Sequence, residues 1–103
     1  PWIEPVQYLG WQMGYNIAVH GTLKRDLDLI AVPWIEGATS AEALAWAVFN
    51  LIKGFAPYME TRHNPAYRPH GRKAWSIHFF NGDVENIHRY IDLSIMPRSE
   101  DQS

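Results

Sequence analysis

The chain contains no cysteine, which excludes disulfides, thiolate zinc sites and thiol nucleophiles. No apolar run approaches the roughly 20 residues that a membrane-spanning helix requires. No secretory leader pattern is present, so a cytoplasmic protein with no membrane partner is expected. Excess charge of one sign is missing too. The net charge is −2, and nothing in that balance draws the chain toward nucleic acid or an anionic membrane. Internal repeats and low-complexity linkers are absent, and no acid stands between Glu60 and Asp83.

What remains is a folding composition. Hydrophobic residues make up 47% of the 103 positions and aromatics 14%, including five Trp. That is enough apolar surface for a single core, so residues 1–103 are expected to form one domain. Residues 5–14 read as a short helix with Pro5 in its first turn and Gly14 at its end. Tyr15 to Gly21 (YNIAVHG) reads as a strand. Asp26 to Trp34 (DLDLIAVPW) opens polar and becomes apolar, as a buried central strand would. Thr39 and Glu42 have the T-x-x-E spacing of a capping box. Ala41, Leu44, Ala45, Val48, Leu51 and Ile52 then keep helical spacing to about Lys53, before Gly54. Residues 55–72 carry Pro57, Pro65 and Pro69 and read as a long loop. Two further strands, KAWSIHFF and RYIDLSIMP, follow, joined through NGDVENIH with Asn81–Gly82 as the turn. Helix, strand, strand, helix, strand, strand implies an α/β (α+β) domain, a small mixed sheet with helices packed on it.

The carboxylates are the first candidate site. Asp26 and Asp28 are alternate residues of one strand and share a face, with Cα atoms about 6.5–7 Å apart at about 3.3 Å per residue. Asp92 opens a second apolar run. Three such acids meeting at one sheet edge would repel one another without a cation, and hard oxygen ligands suit Mg²⁺ or Mn²⁺. The same residues also read as solvated strand ends.

The stretches VHGT (Val19 to Thr22), DLDL (Asp26 to Leu29) and IDL (Ile91 to Leu93) resemble the nucleotidyltransferase fold of the DNA polymerase β superfamily. That resemblance implies a phosphate-holding Gly21–Thr22 segment, metal ligation by Asp26 and Asp28, and a third carboxylate from Asp92. These three acids are the catalytic and metal-binding candidates. Only Leu23, Lys24 and Arg25 separate Thr22 from Asp26, a shorter link than the family uses, so a tight turn is expected there. The stretch AVHGTLKRDLDLIAVPW also looks like that of small phage and prophage proteins.

Cationic groups supply the rest. Arg62, Arg68, Arg72 and Lys73 fall in the acid-free segment, where Pro and Gly stiffen RPHGRKAW. Forked Arg donors and the Lys charge suit phosphate. Arg72 and Lys73, with Gly21, Thr22, Lys24 and Arg25, are therefore the phosphate-binding candidates. A solvated surface loop is the competing reading. The basic stripe is too short for a nucleic-acid groove and fits a small anionic ligand better. His20 and His78 are candidates for acid–base work. His78 is expected on the strand face opposite Trp75, Ile77 and Phe79.

Two functions follow. One is a Mg²⁺- or Mn²⁺-dependent nucleotidyltransferase-like protein that binds a nucleoside triphosphate and transfers a nucleotidyl group to a hydroxyl. The other is a non-catalytic phage accessory protein that binds a nucleotide or a host protein, acting in the host cytoplasm.

Overall fold

A computed structural model describes residues 3–20, 26–55, 59–61, 65–79 and 89–102. Helix α1 spans Ile3–Gln12 and is followed by strands β1 (Tyr15–His20) and β2 (Asp26–Pro33). Helix α2 covers Ala41–Phe55. Short strands β3 (Met59–Thr61) and β4 (Ala66–Tyr67) precede β5 (Lys73–Phe79) and β6 (Arg89–Ile95). Segment 55–72 is thus more than a loop. It contributes two strands, both paired antiparallel with β5, and a 3-10 turn at Pro69–Gly71. The Asn81–Gly82 turn lies outside the described residues.

The strands form one mixed sheet in the order β1-β2-β6-β5-β3, with β4 also against β5. Neighbours run antiparallel except β2 and β6, which are parallel. Parallel neighbours need a crossover connection, and α2 lies on the path between them. The architecture is α+β, as the order of elements implies.

Alternation decides which face the helices cover. Leu27, Leu29 and Ala31 of β2, Ile91, Leu93 and Ile95 of β6, and Trp75 and Ile77 of β5 are all buried. They join Tyr15 and Ile17 of β1 in one cluster with Leu44, Ala45, Val48, Phe49 and Ile52 of α2 and Val6 of α1. Leu51, expected on this helix face, is only partly buried. The residues between, such as Ala18, His20, Asp28 and Val32, are exposed on the other side. β2 is an interior strand, and the buried strand expected from its apolar half is buried against the helices by alternate residues, with Asp28 and Val32 exposed on the other face.

Glycine sets the contact of α1 with β1. A Cβ on Gly10 would stand 2.4 Å from Ile17 Cδ1 and 2.8 Å from its Cγ1. Gly10, a weak helix former by propensity, lets the helix lie close against the strand. Gly14 ends the helix at φ +95°, where a Cβ would meet Ala38 at 2.8 Å. Gln7 Nε2 donates to Ile17 O at 3.1 Å and covers one carbonyl of the β1 edge.

The cap of α2 is displaced by one residue from the expected Thr39. Ser40 Oγ accepts from Ala43 N at 3.2 Å, and Ser40 O accepts from Leu44 N at 3.0 Å. Glu42, in the first turn, ion-pairs with Lys73 instead of closing a capping box. Thr39 is used through its backbone: its N–H donates to Met13 O at 3.0 Å and its carbonyl accepts from Tyr15 Oη at 2.7 Å. Its own Oγ1 is buried without a hydrogen-bond partner.

Ser40→Ala is expected to cost about 1 kcal/mol in denaturant unfolding, the usual loss on removing an N-cap. Thr39→Val should cost less, because it removes an unpaired buried hydroxyl. Gly10→Ala should destabilise by about 1–3 kcal/mol through overpacking in spite of its better helix propensity. Adding Ile17→Val, which deletes Cδ1, should restore part of that loss in the same assay.

Candidate functional site

The strand registers carry a polar row across the face away from the helices. His20 pairs with Asp28, Asp28 with Asp92, and Asp92 with Ser76. In each pair the partners lie on the same side of the sheet, with neighbouring strands about 4.8 Å apart. Asp28 and Asp92 are therefore adjacent carboxylates on the middle of a face, not at a sheet edge. Asp26 occupies the next position of the same face, in register with Tyr90. His78 and Glu60 continue that second row by register.

Asp28 is exposed and Asp92 is half-buried. Burial raises the Asp92 carboxyl above its ordinary range, and the charge of Asp28 adds to the effect. Arg68 and Arg72 oppose it electrostatically. Among the described residues neither Asp28 nor Asp92 forms an ion pair. Two like charges side by side without a bonded counter-ion disfavour their own ionised state.

The cations are divided by the pleat. Arg72 precedes β5 and shares its parity with Ala74, Ser76 and His78 on the acidic face. The Arg72 Nε is buried without a hydrogen-bond partner. Lys73 has the parity of Trp75 and Ile77. It turns to the helix side, pairs with Glu42 and lies 6.0 Å from the centroid of the Tyr67 ring. Lys73 thus lies on the face opposite Arg72, with which it was expected to share a phosphate. Arg68, not among the expected phosphate ligands, is the cation that accompanies Arg72 near Asp92. Its N–H donates to Arg72 O at 2.8 Å across the turn. Ser76, beside Asp92, was also missed. Period-two alternation from Trp75 could have separated Lys73 from Arg72 and put Ser76 on the face of Arg72.

His20 is exposed at the end of β1, opposite Asp28. His78 is half-buried on the same face, two positions from Ser76. Gly21, Thr22, Lys24 and Arg25 lie outside the described residues. Among the described residues no group of three or more metal-ligating side chains is assembled; Asp28 and Asp92 form a pair. Oxygen-only donors of this kind fit a hard divalent cation better than a transition metal. No described helix is long and apolar enough to cross a membrane. Compared with known protein families and with curated protein sequences, the chain has no match.

The raised Asp92 carboxyl predicts a pH dependence. The native state holds this proton to higher pH than the unfolded chain, whose carboxyl titrates near the ordinary 3.8. The stability contributed by protonation is complete below that value and is lost as pH rises through the folded value. Asp92→Asn should therefore unfold at a higher temperature than the parent at neutral pH. The difference should shrink to nothing in acid below the ordinary carboxyl range, as read by melting curves across pH. Glu42 and Asp101, lowered by Lys73 and Arg98, have the opposite dependence in both proteins and cancel in the comparison.

Proposed function

We propose that the sheet face away from the helices is a Mg²⁺- or Mn²⁺-dependent nucleotide site, and that the chain is a nucleotidyltransferase-like protein. The observation that carries this reading is the in-register pairing of Asp28 with Asp92. The two carboxylates are adjacent, form no ion pair among the described residues, and lie within electrostatic reach of Arg68 and Arg72. Such a pair gains most from a divalent cation, and the arginines then meet the negative charge of a polyphosphate.

In this reading Asp28 and Asp92 hold the cation, with Asp26 from the next position of the face. The bound ion supplies charge neutralisation for the attacking and leaving oxygens. Arg72 and Arg68 orient the phosphates. An acceptor hydroxyl attacks the α-phosphorus, its O–P bond forms as the bond to the β-phosphate oxygen breaks, and pyrophosphate departs. The hydroxyl proton passes to Asp92 or to His20, both on this face. Gly21 and Thr22 complete the phosphate contact by the resemblance noted above.

A protein-binding role without chemistry is the second reading, and the aromatic surface favours it. Trp11 and Trp34 stack with ring centroids 4.1 Å apart and an interplanar angle of 13°. Both remain exposed, as does the neighbouring Ile35. A non-catalytic accessory protein that binds a host protein would present such a surface.

Metal titration separates the two. Mg²⁺ or Mn²⁺ at a hundredfold excess over its dissociation constant should stabilise the protein by about 2.7 kcal/mol. The double change Asp28→Asn and Asp92→Asn should abolish that gain while raising metal-free stability, since it removes paired like charges. Triphosphate binding should require the cation and weaken by about tenfold or more on Arg72→Ala, the loss of one charge-assisted contact. An unchanged melting temperature with divalent ions and triphosphates would remove the nucleotide reading and leave the protein-binding one.

A further inference from the structure

On the other side of the sheet, at the C-terminal end of β6, lies a cavity of about 350 Å³. It opens between the start of α2, the β4–β5 turn and the segment after β6. Its volume falls in the range of small-molecule sites, about 300–1,000 Å³. Ala41, Ile95 and Pro97 line it with apolar surface, and Glu42, Lys73 and Tyr67 carry its polar groups. One wall is the Arg98–Asp101 pair. Arg98 Nε and Nη2 donate to Asp101 at 3.0 Å, and Nη1 donates to Ala38 O at 3.1 Å, so each of the three guanidinium nitrogens is already held by the protein.

The Lys73–Glu42 pair differs from that wall. It is made through a single contact, Lys73 Nζ to Glu42 Oε1. An ammonium has three N–H donors and a carboxylate about four acceptor positions. The Glu42 carboxylate also accepts from its own backbone N–H, so Lys73 keeps donors and Glu42 keeps acceptor positions for another molecule. Tyr67 is 78% exposed, which leaves its ring open at the same mouth. The lining holds two cations and two acids, Lys73 and Arg98 against Glu42 and Asp101, and is electrically neutral. A polyanion gains nothing from such a wall. A ligand with one charge of each sign gains at both ends.

We propose that this cavity binds a small zwitterion, a free α-amino acid with an apolar side chain. Its carboxylate takes Lys73 and its ammonium takes Glu42 and the face of Tyr67, forming an alternating square of charges. Its side chain lies on Ala41, Ile95 and Pro97. Lys73 and Glu42 hold each other charged, the lysine raised and the glutamate lowered by their mutual hydrogen bond. The square therefore persists across the neutral range. The site is separate from the acidic face and needs neither metal nor nucleotide.

L-leucine and L-phenylalanine are the probes, titrated into the full chain by calorimetry and by amide-resolved NMR. Saturable millimolar or tighter binding is expected, with shifts concentrated at Tyr67, Lys73 and Ile95. L-leucinamide, which lacks the carboxylate, and N-acetyl-L-leucine, which lacks the ammonium, should each bind at least about tenfold more weakly, a loss of about 1.4 kcal/mol. Glu42→Gln and Lys73→Met should reproduce those losses one end at a time. Tyr67→Ser, at an exposed ring, should keep the fold and still weaken binding. If the charge variants do not fold, the two blocked ligands on the parent chain decide the matter. Absence of saturable binding, or blocked ligands binding as well as the free amino acid, would overturn the proposal.

Discussion

The parallel pairing of β2 with β6 under a single helical layer is the constraint from which the rest follows. Leu27, Leu29 and Ala31 lie in register with Ile91, Leu93 and Ile95, and all six are buried against the helices. A slip of one residue would turn either apolar set out to solvent and bring polar residues into the core. The register is therefore set by burial. The same register places Asp28 beside Asp92, because the residue between two core positions of one strand must neighbour its counterpart on the other. Adjacent like charges are thus a consequence of core packing. The protein carries that repulsion on the face away from the helices, where Asp28 is exposed and Asp92 is half-buried.

Small residues and one latch complete the frame. Gly10 and Gly14 allow α1 to approach β1 and then turn into it. Ser40 starts α2 after Thr39 has closed the corner with Met13 and Tyr15. At the far end of the sheet Arg98 joins the last 3-10 turn to Ala38 through Asp101 and the Ala38 carbonyl. The two faces of the sheet consequently differ in electrostatic character. The face away from the helices has like charges side by side, with Arg68 and Arg72 acting on Asp92 electrostatically. The cavity beside α2 has opposite charges in contact and no net charge.

The β5 pleat divides the basic segment between these two regions. Arg72 and Lys73 are adjacent in the chain, yet one faces the acids and the other faces α2. Tyr67 and Arg68 are divided in the same manner across the hairpin. Segment 66–73 therefore serves both faces of the sheet, and a charge count over it says little about either.

Local chemistry alone determined a good part of this protein. Helical spacing from Ala41 to Ile52 located α2 and its buried face, because a 3.6-residue repeat admits one apolar stripe. Alternation located β5 and placed His78 opposite Trp75 and Ile77. The sharing of one face by Asp26 and Asp28 also needed nothing beyond a period of two. Capping was ambiguous locally, since Thr39 and Ser40 are both competent caps; the hydrogen bonds of Thr39 to Met13 and Tyr15 decided between them, and these are tertiary. The short strands β3 and β4 were illegible because three and two residues carry no periodicity, and they exist by pairing with β5. Proximity of Asp92 to Asp28, and of Arg68 to both, depended on strand order. Strand order is a property of how α2 crosses the sheet, and no window of sequence contains it.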